Sequence, residues 1–126
     1  MKDYIISGQV IHGFDKGKSM GFPTYNLHLN ADYPLEDWQG VWCSLTYYRG
    51  QKLFGVTHIG PVRIFQEEKI RVETHLLDWQ GDLYGEQLQV ELLVKLRDTI
   101  DFTNETELIR QVMEDIRQAR AYFKIE

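Results

Sequence analysis

Leu88-Gln89-Val90-Glu91-Leu92-Leu93-Val94-Lys95-Leu96 decides the fold class. Leu88, Val90, Leu92, Val94 and Leu96 alternate with Gln89, Glu91 and Lys95. That is the period of two expected of a strand with one buried face, and it does not fit an amphipathic helix. Working outward, the same period recurs. Residues 70–77 set Ile70, Val72, Thr74 and Leu76 against Arg71, Glu73, His75 and Leu77. Residues 41–48 set Val41, Cys43, Leu45 and Tyr47 against Trp42, Ser44 and Thr46. Arg49-Gly50-Gln51 is a turn and 53–59 returns from it, which predicts a hairpin. Residues 4–11 read as a first strand. Trp79-Gln80-Gly81-Asp82 interrupts the chain between 70–77 and 88–96 and predicts that these two strands pair antiparallel.

The period changes after Phe102. Leu108, Ile109, Val112, Met113 and Ile116 recur at helical spacing, and Ala119 and Phe123 extend the stripe. Thr103 or Asn104 suits the N-cap, and Asn104 with Glu107 fits a capping box, so a helix is expected over about 104–122. Met113 reads as core. The fold class is therefore mainly β: five or six short antiparallel strands within 4–96, then one C-terminal helix. A closed barrel removes exposed strand edges, and the helix is expected to cover one open end.

A length of 126 residues is one domain's worth of chain, and neither a repeat nor a Pro/Ser/Gly-rich linker divides it. With 43% hydrophobic and 26% charged residues the composition is that of a globular protein. The net charge of −5 argues against nucleic-acid binding, which rests on clustered positive charge. No apolar run approaches the length of a membrane span. The single cysteine, Cys43, excludes an internal disulfide framework and fits a reducing compartment, and no targeting segment is evident, so a cytoplasmic location is expected. Cys43 lies in a strand without a nucleophile turn and reads as a buried structural thiol. The four histidines show no zinc spacing.

Three features bear on chemistry. Gly13-Phe14-Asp15-Lys16-Gly17-Lys18-Ser19 is one residue short of a Walker A pattern, and Met20-Gly21-Phe22-Pro23 cannot open the helix a P-loop uses. A glycine-rich basic loop can still wrap phosphates with backbone N–H groups, and a plain surface turn is the other reading. Thr24 and Asn26 alternate onto one side, offering either two neutral oxygen ligands for Mg²⁺ or hydrogen bonds to their own loop. Glu73, mid-strand and opposite Val72, is either a solvated carboxylate or a base.

Taken together, Gly8-Gln9-Val10-Ile11-His12-Gly13, Gly17-Lys18-Ser19-Met20-Gly21-Phe22-Pro23-Thr24-Tyr25-Asn26-Leu27, and Val72-Glu73-Thr74-His75-Leu76-Leu77-Asp78 with Asp82-Leu83-Tyr84-Gly85 resemble the riboflavin kinases. That family opens with a Gly-x-Val-x-x-Gly strand, a glycine-rich loop and a Pro-Thr-Ala-Asn motif. Leu96-Arg97, Phe102 and the closing helix are similar to its flavin-side flap. The resemblance spans nearly the whole chain in order. It implies a small closed Greek-key barrel of about six strands with a C-terminal helix, a single kinase domain over 1–126, and the reaction of ATP with riboflavin to give ADP and FMN.

By the same resemblance, Glu73 is the catalytic base. Gly13, Lys18, Thr24, Leu76, Asp78 and Tyr84 meet ATP, and Arg97, Ile100 and Phe102 meet the flavin. Thr24 and Asn26 ligate Mg²⁺, with Zn²⁺ or Mn²⁺ as alternatives. Many bacterial relatives also carry an adenylyltransferase domain. Since this sequence shows none, it is expected to stop at FMN and to depend on such a domain or protein for FAD. Tyr25 replaces the motif's alanine, Ile100 stands where some relatives have a polar flavin contact, and Gly60-Pro61-Val62-Arg63-Ile64-Phe65 lacks the usual Pro-Thr. A catalytically impaired flavin- or nucleotide-binding regulatory module is the alternative that the altered loop supports.

Overall fold

The structure, a computed structural model, describes residues 4–11, 22–61 and 69–126. The alternating segments form strands β1 (Ile5–Ile11), β2 (Tyr25–Leu29), β3 (Gly40–Tyr48), β4 (Gln51–Gly60), β5 (Arg71–Leu76) and β6 (Gln87–Arg97), followed by helix α1 (Glu105–Phe123). The strands close into an antiparallel barrel in the order β1-β2-β5-β4-β3-β6. No helix of the described residues is long and apolar enough to cross a membrane.

β3, β4 and β5 are consecutive antiparallel neighbours, with Arg49 and Gly50 in the left-handed turn of the expected hairpin. β6 then returns to lie beside β3, which is a Greek key. The expected pairing of 70–77 with 88–96 is therefore corrected: β5 pairs with β4 and β2, and β6 pairs with β3 and β1. The connection after Leu76 crosses the barrel instead of turning back, because both edges of β5 are already occupied.

The interior holds Ile6, Val10, Leu27, Ile59, Val72, Leu76, Leu83, Leu88, Val90 and Leu92. A line of buried hydroxyls crosses it: Ser44 Oγ lies 2.8 Å from Thr57 Oγ1, which bonds in turn to Thr74 Oγ1. These groups satisfy one another, so their burial is tolerated. The long alternation in β6 does not stay inside. Opposite β3 the register shifts between Val41 and Trp42 and again between Cys43 and Ser44. Each bulge inserts one unpaired residue into β6 and exchanges its faces. Val94 is consequently 37% exposed, Leu96 packs outside the barrel, and Arg97 arrives opposite Val41 on the outer wall.

Helix α1 packs on that wall rather than over an open end. Val41, Cys43, Val56, Leu77 and Ala119 form a second cluster, flanked by Leu96, Ile116 and Phe123. Full burial of a Val or Leu side chain contributes roughly 1.5–3 kcal/mol, enough to seat the helix. Asn104 is the N-cap, its Oδ1 accepting from Glu107 N at 2.9 Å, while Glu107 Oε2 accepts from Thr103 Oγ1 at 2.8 Å. Lys124 closes the helix in the left-handed conformation. The core face follows the stripe read from hydropathy at Leu108, Ile116, Ala119 and Phe123, and departs from it at Met113 and Asp115. Leu108, Asp115 and Ala119 are its buried residues, and Met113 is 58% exposed. Asp115 takes a core-facing position, where Arg97 pairs with it.

Candidate functional site

A single row of paired residues runs around the barrel. Asn26 is opposite Glu73, Glu73 opposite His58, His58 opposite Val41, and Val41 opposite Arg97. Directly opposed residues share a face of the sheet, and neighbouring strands lie about 4.8 Å apart. Val41 belongs to the cluster under the helix, so the whole row faces outward. Three predicted site residues from three strands, Asn26, Glu73 and Arg97, thus come to one wall, with His58 between Glu73 and Val41.

The chemistry changes along this row. Asn26 is 5% exposed, and its Oδ1 is buried without a hydrogen-bond partner among the described residues. A buried amide oxygen left unmet is costly, and a hard cation is the kind of group that meets it. Thr24, half-buried just before β2, adds a hydroxyl on the same side of the chain. Among the described residues no group of three or more His, Cys, Asp or Glu could hold a metal. A cation at Asn26 would keep water or substrate oxygens in its shell, as Mg²⁺ does. The donor set fits Mg²⁺ better than zinc.

At the other end, Arg97 is held by Asp115 through two bonds of 2.8 Å, Nε to Oδ1 and Nη2 to Oδ2. Its Nη1 donates to the Asp98 carbonyl at 3.0 Å, and Gln111 Nε2 donates to Asp115 Oδ1 at 3.0 Å. The guanidinium also lies 6.0 Å from the centre of the Phe102 ring. Arg97 therefore fastens the 98–104 segment and the helix to the barrel. Beside it, Ile100, Phe102, Arg110, Gln111 and Met113 line part of an open cavity of about 870 Å³. That is the size range of small-molecule sites.

His58 lies between these ends. Its side chain is half-buried, and Nδ1 is shut away from solvent with no partner among the described residues. Burial, reinforced by the charge of Arg97 and opposed by that of Asp115, pushes the imidazole down to about 4. The unfolded chain therefore binds the proton more readily than the folded one. Stability should be full above pH 6.5 and fall as pH drops from 6.5 to 4, by at most about 3 kcal/mol. Urea melts of His58→Asn should show a flatter dependence across that window, and an unchanged slope would contradict the assignment.

The 77–86 connection carries the other predicted residues. Asp78, in the left-handed conformation, accepts from Arg120 at 3.0 and 3.2 Å, which holds its carboxyl below the usual range. Tyr84 is 57% exposed, and its N–H donates to Asp82 Oδ1 at 2.9 Å. Gly85 N donates to Val10 O at 2.9 Å, so the connection lies beside the end of β1. Leu76 is placed differently from expectation. Alternation turns it into the barrel, where it is 2% exposed and packs with the core. Tyr25, the departure from the motif, faces away from Asn26, and its hydroxyl donates to Gly81 O at 2.7 Å. Its ring meets Trp79 edge-on at 6.1 Å, so Tyr25 ties β2 to this connection. Gly13, Lys18 and the altered loop at 62–65 lie outside the described residues.

Two participants escaped the sequence reading. His58 was visible only as a histidine without zinc spacing. Asp115 did leave a signal: an acidic residue at the spacing of Leu108, Val112 and Ala119 marks a buried partner for a cation. Cys43 is a buried free thiol whose pKa burial pushes up to about 11, and it takes no part in the row.

Residues 1–123 match the family described as Flavokinase, riboflavin kinase. The bifunctional riboflavin kinase/FMN adenylyltransferase of Escherichia coli (strain K12) is 36% identical over 121 residues, covering 95% of this chain and 38% of that protein. The chain spans about two fifths of the length of the curated relatives it matches. A crystal structure of a macrolide-efflux protein from Streptococcus pneumoniae superposes with a TM-score of 0.79 at 30% identity, covering 92% of this chain and 38% of that one. The riboflavin kinase of Trypanosoma brucei shares the fold, with a TM-score of 0.64 at 20% identity over 98% of this chain and 82% of that one.

Proposed function

The chain belongs to the riboflavin kinase family, and from that premise we propose that it transfers the γ-phosphoryl group of ATP to the terminal ribityl hydroxyl of riboflavin, giving FMN and ADP. The observation that carries this reading is the register that sets Glu73 beside Asn26 on the outer wall. Phosphoryl transfer asks mainly for positioning and charge neutralisation, with one group orienting the incoming hydroxyl. Glu73 takes the proton of that hydroxyl as its oxygen bonds to phosphorus and the bond to the ADP oxygen breaks. Thr24 and Asn26 hold a divalent cation, Mg²⁺ by the chemistry of the donors. When bound, the cation neutralises charge on the phosphate oxygens.

The nucleotide lies toward the 77–86 connection, where Asp78 and Tyr84 meet it, and Gly13 and Lys18 belong to its phosphate side by family resemblance. Ile100 and Phe102 offer apolar surface to the flavin ring, with Arg97 holding Phe102 in place. FMN then passes to an adenylyltransferase domain or protein of the kind named in the bifunctional relatives. The reducing cytoplasm suits the single thiol. Incubation with riboflavin, ATP and Mg²⁺ should give FMN and ADP. Chelation should stop the reaction, and Mg²⁺ should restore it. Tight flavin binding without turnover in Mg²⁺, Mn²⁺ or Zn²⁺ would overturn the reading in favour of a regulatory module.

A further inference from the structure

We propose that Tyr25 is a positioning residue for the nucleotide, tying the 78–82 segment to the start of β2 between Thr24 and Asn26. The inference rests on the kinase reading above, which leaves Tyr25 without a part. Asn26 faces outward with Glu73, and alternation sends Tyr25 to the other side of the strand, opposite the fully buried Thr74. From there its hydroxyl donates to Gly81 O at 2.7 Å. An alanine at this position, the residue of the motif, could not reach that carbonyl.

The 78–82 segment is suited to such a tie. Leu77 and Leu83 at its ends are buried, while Asp78, Gln80, Gly81 and Asp82 between them are exposed. Arg120 holds its first residue and Tyr25 its fourth. The Trp79 ring lies between, edge-on to Tyr25 at 6.1 Å and to Tyr48 at 6.3 Å. It sits so close over Gly81 that a Cβ there would be 2.7 Å from Trp79 Cη2. Next along the chain, Asp82 Oδ1 accepts from Tyr84 N, so a fixed Gly81 carbonyl sets the turn that presents Tyr84 to solvent. Burial, and then the charge of Asp82, pushes the Tyr25 phenol up, so it stays a donor at pH 7. Apparent affinity scales with the fraction of molecules already in the binding shape. A tie that holds Asp78 and Tyr84 in place relative to Thr24 and Asn26 therefore tightens nucleotide binding.

The test is the affinity for Mg²⁺-ADP by isothermal titration, which does not depend on turnover, set beside the KM values for ATP and riboflavin. Tyr25→Phe removes the hydroxyl and keeps the ring against Trp79. It should raise the Kd for Mg²⁺-ADP and the KM for ATP on the order of 5-fold, with a smaller change in kcat. Riboflavin affinity, followed by fluorescence quenching without nucleotide, should not move. Tyr25→Ala loses the ring contact as well and should weaken nucleotide binding further. Should that variant fail to fold, Tyr25→Leu keeps apolar volume at the barrel end and gives the same readouts. Unchanged Mg²⁺-ADP affinity in these variants, or equal losses for nucleotide and riboflavin, would overturn the assignment while leaving the kinase reading intact. An unmodified protein that neither binds Mg²⁺-ADP nor phosphorylates riboflavin would sink both.

Discussion

Glu73→Gln is expected to lower kcat by about 10²–10⁴-fold, roughly 3–5.5 kcal/mol of barrier, with riboflavin and ATP binding little changed. Glutamine keeps the volume and most hydrogen-bonding capacity of glutamate but cannot accept the hydroxyl proton. The strand supplies the precision such a role needs. β5 is paired on both sides, so Glu73 is fixed between Asn26 and His58. Its intermediate burial means that the substitution leaves the core unaltered. The measurement is a steady-state comparison backed by direct binding of each substrate. A variant with near-normal kcat would show that another group activates the hydroxyl and that Glu73 is an ordinary strand carboxylate.

Asn26→Ala should abolish most turnover while the melting temperature barely moves. Loss of a cation ligand removes part of several kcal/mol of transition-state charge stabilisation, so kcat/KM at fixed Mg²⁺ should fall on the order of 10²-fold. The stability side follows from the unmet Oδ1. Burying an acceptor without a partner costs about 1–3 kcal/mol, and alanine removes that penalty while giving up some packing. The two effects nearly cancel. Raised Mg²⁺ should recover part of the activity, and direct Mn²⁺ binding should weaken in parallel. If Asn26→Ala unfolds, or loses activity with metal affinity unchanged, the side chain serves the local backbone and not a cation.

The strands and helix were legible because most have a period: alternation in β3, β5 and β6, and 3.6-residue spacing after Asn104, with Asn104 as the N-cap. Short β2 carries only five residues and was visible mainly as a motif. Glu73, Thr24 and Asn26 were legible through resemblance to the riboflavin kinases; spacing alone left each of them with an ordinary structural reading.

What neighbouring residues impose on one another is contained in the chain's local pattern, and it extended to element type, caps and the β3–β4 hairpin. Pairing between distant strands is not a local property. Hydrophobic alternation says which residues turn inward but not which strand lies alongside, so β6 was matched to β5 when closure of the barrel required β3 and β1. Nor does it reveal a bulge, since the extra residue looks like any other until a partner strand is in register. The two bulges in β6 shift its register by two residues, so that Arg97 comes opposite Val41 on the outer wall. There it pairs with the buried Asp115 of the helix and adds to the burial that lowers the pKa of His58. The row from Asn26 to Arg97 exists only once five strands are in register, because its members are separated by up to 71 positions in sequence and brought together by the pairing of those strands.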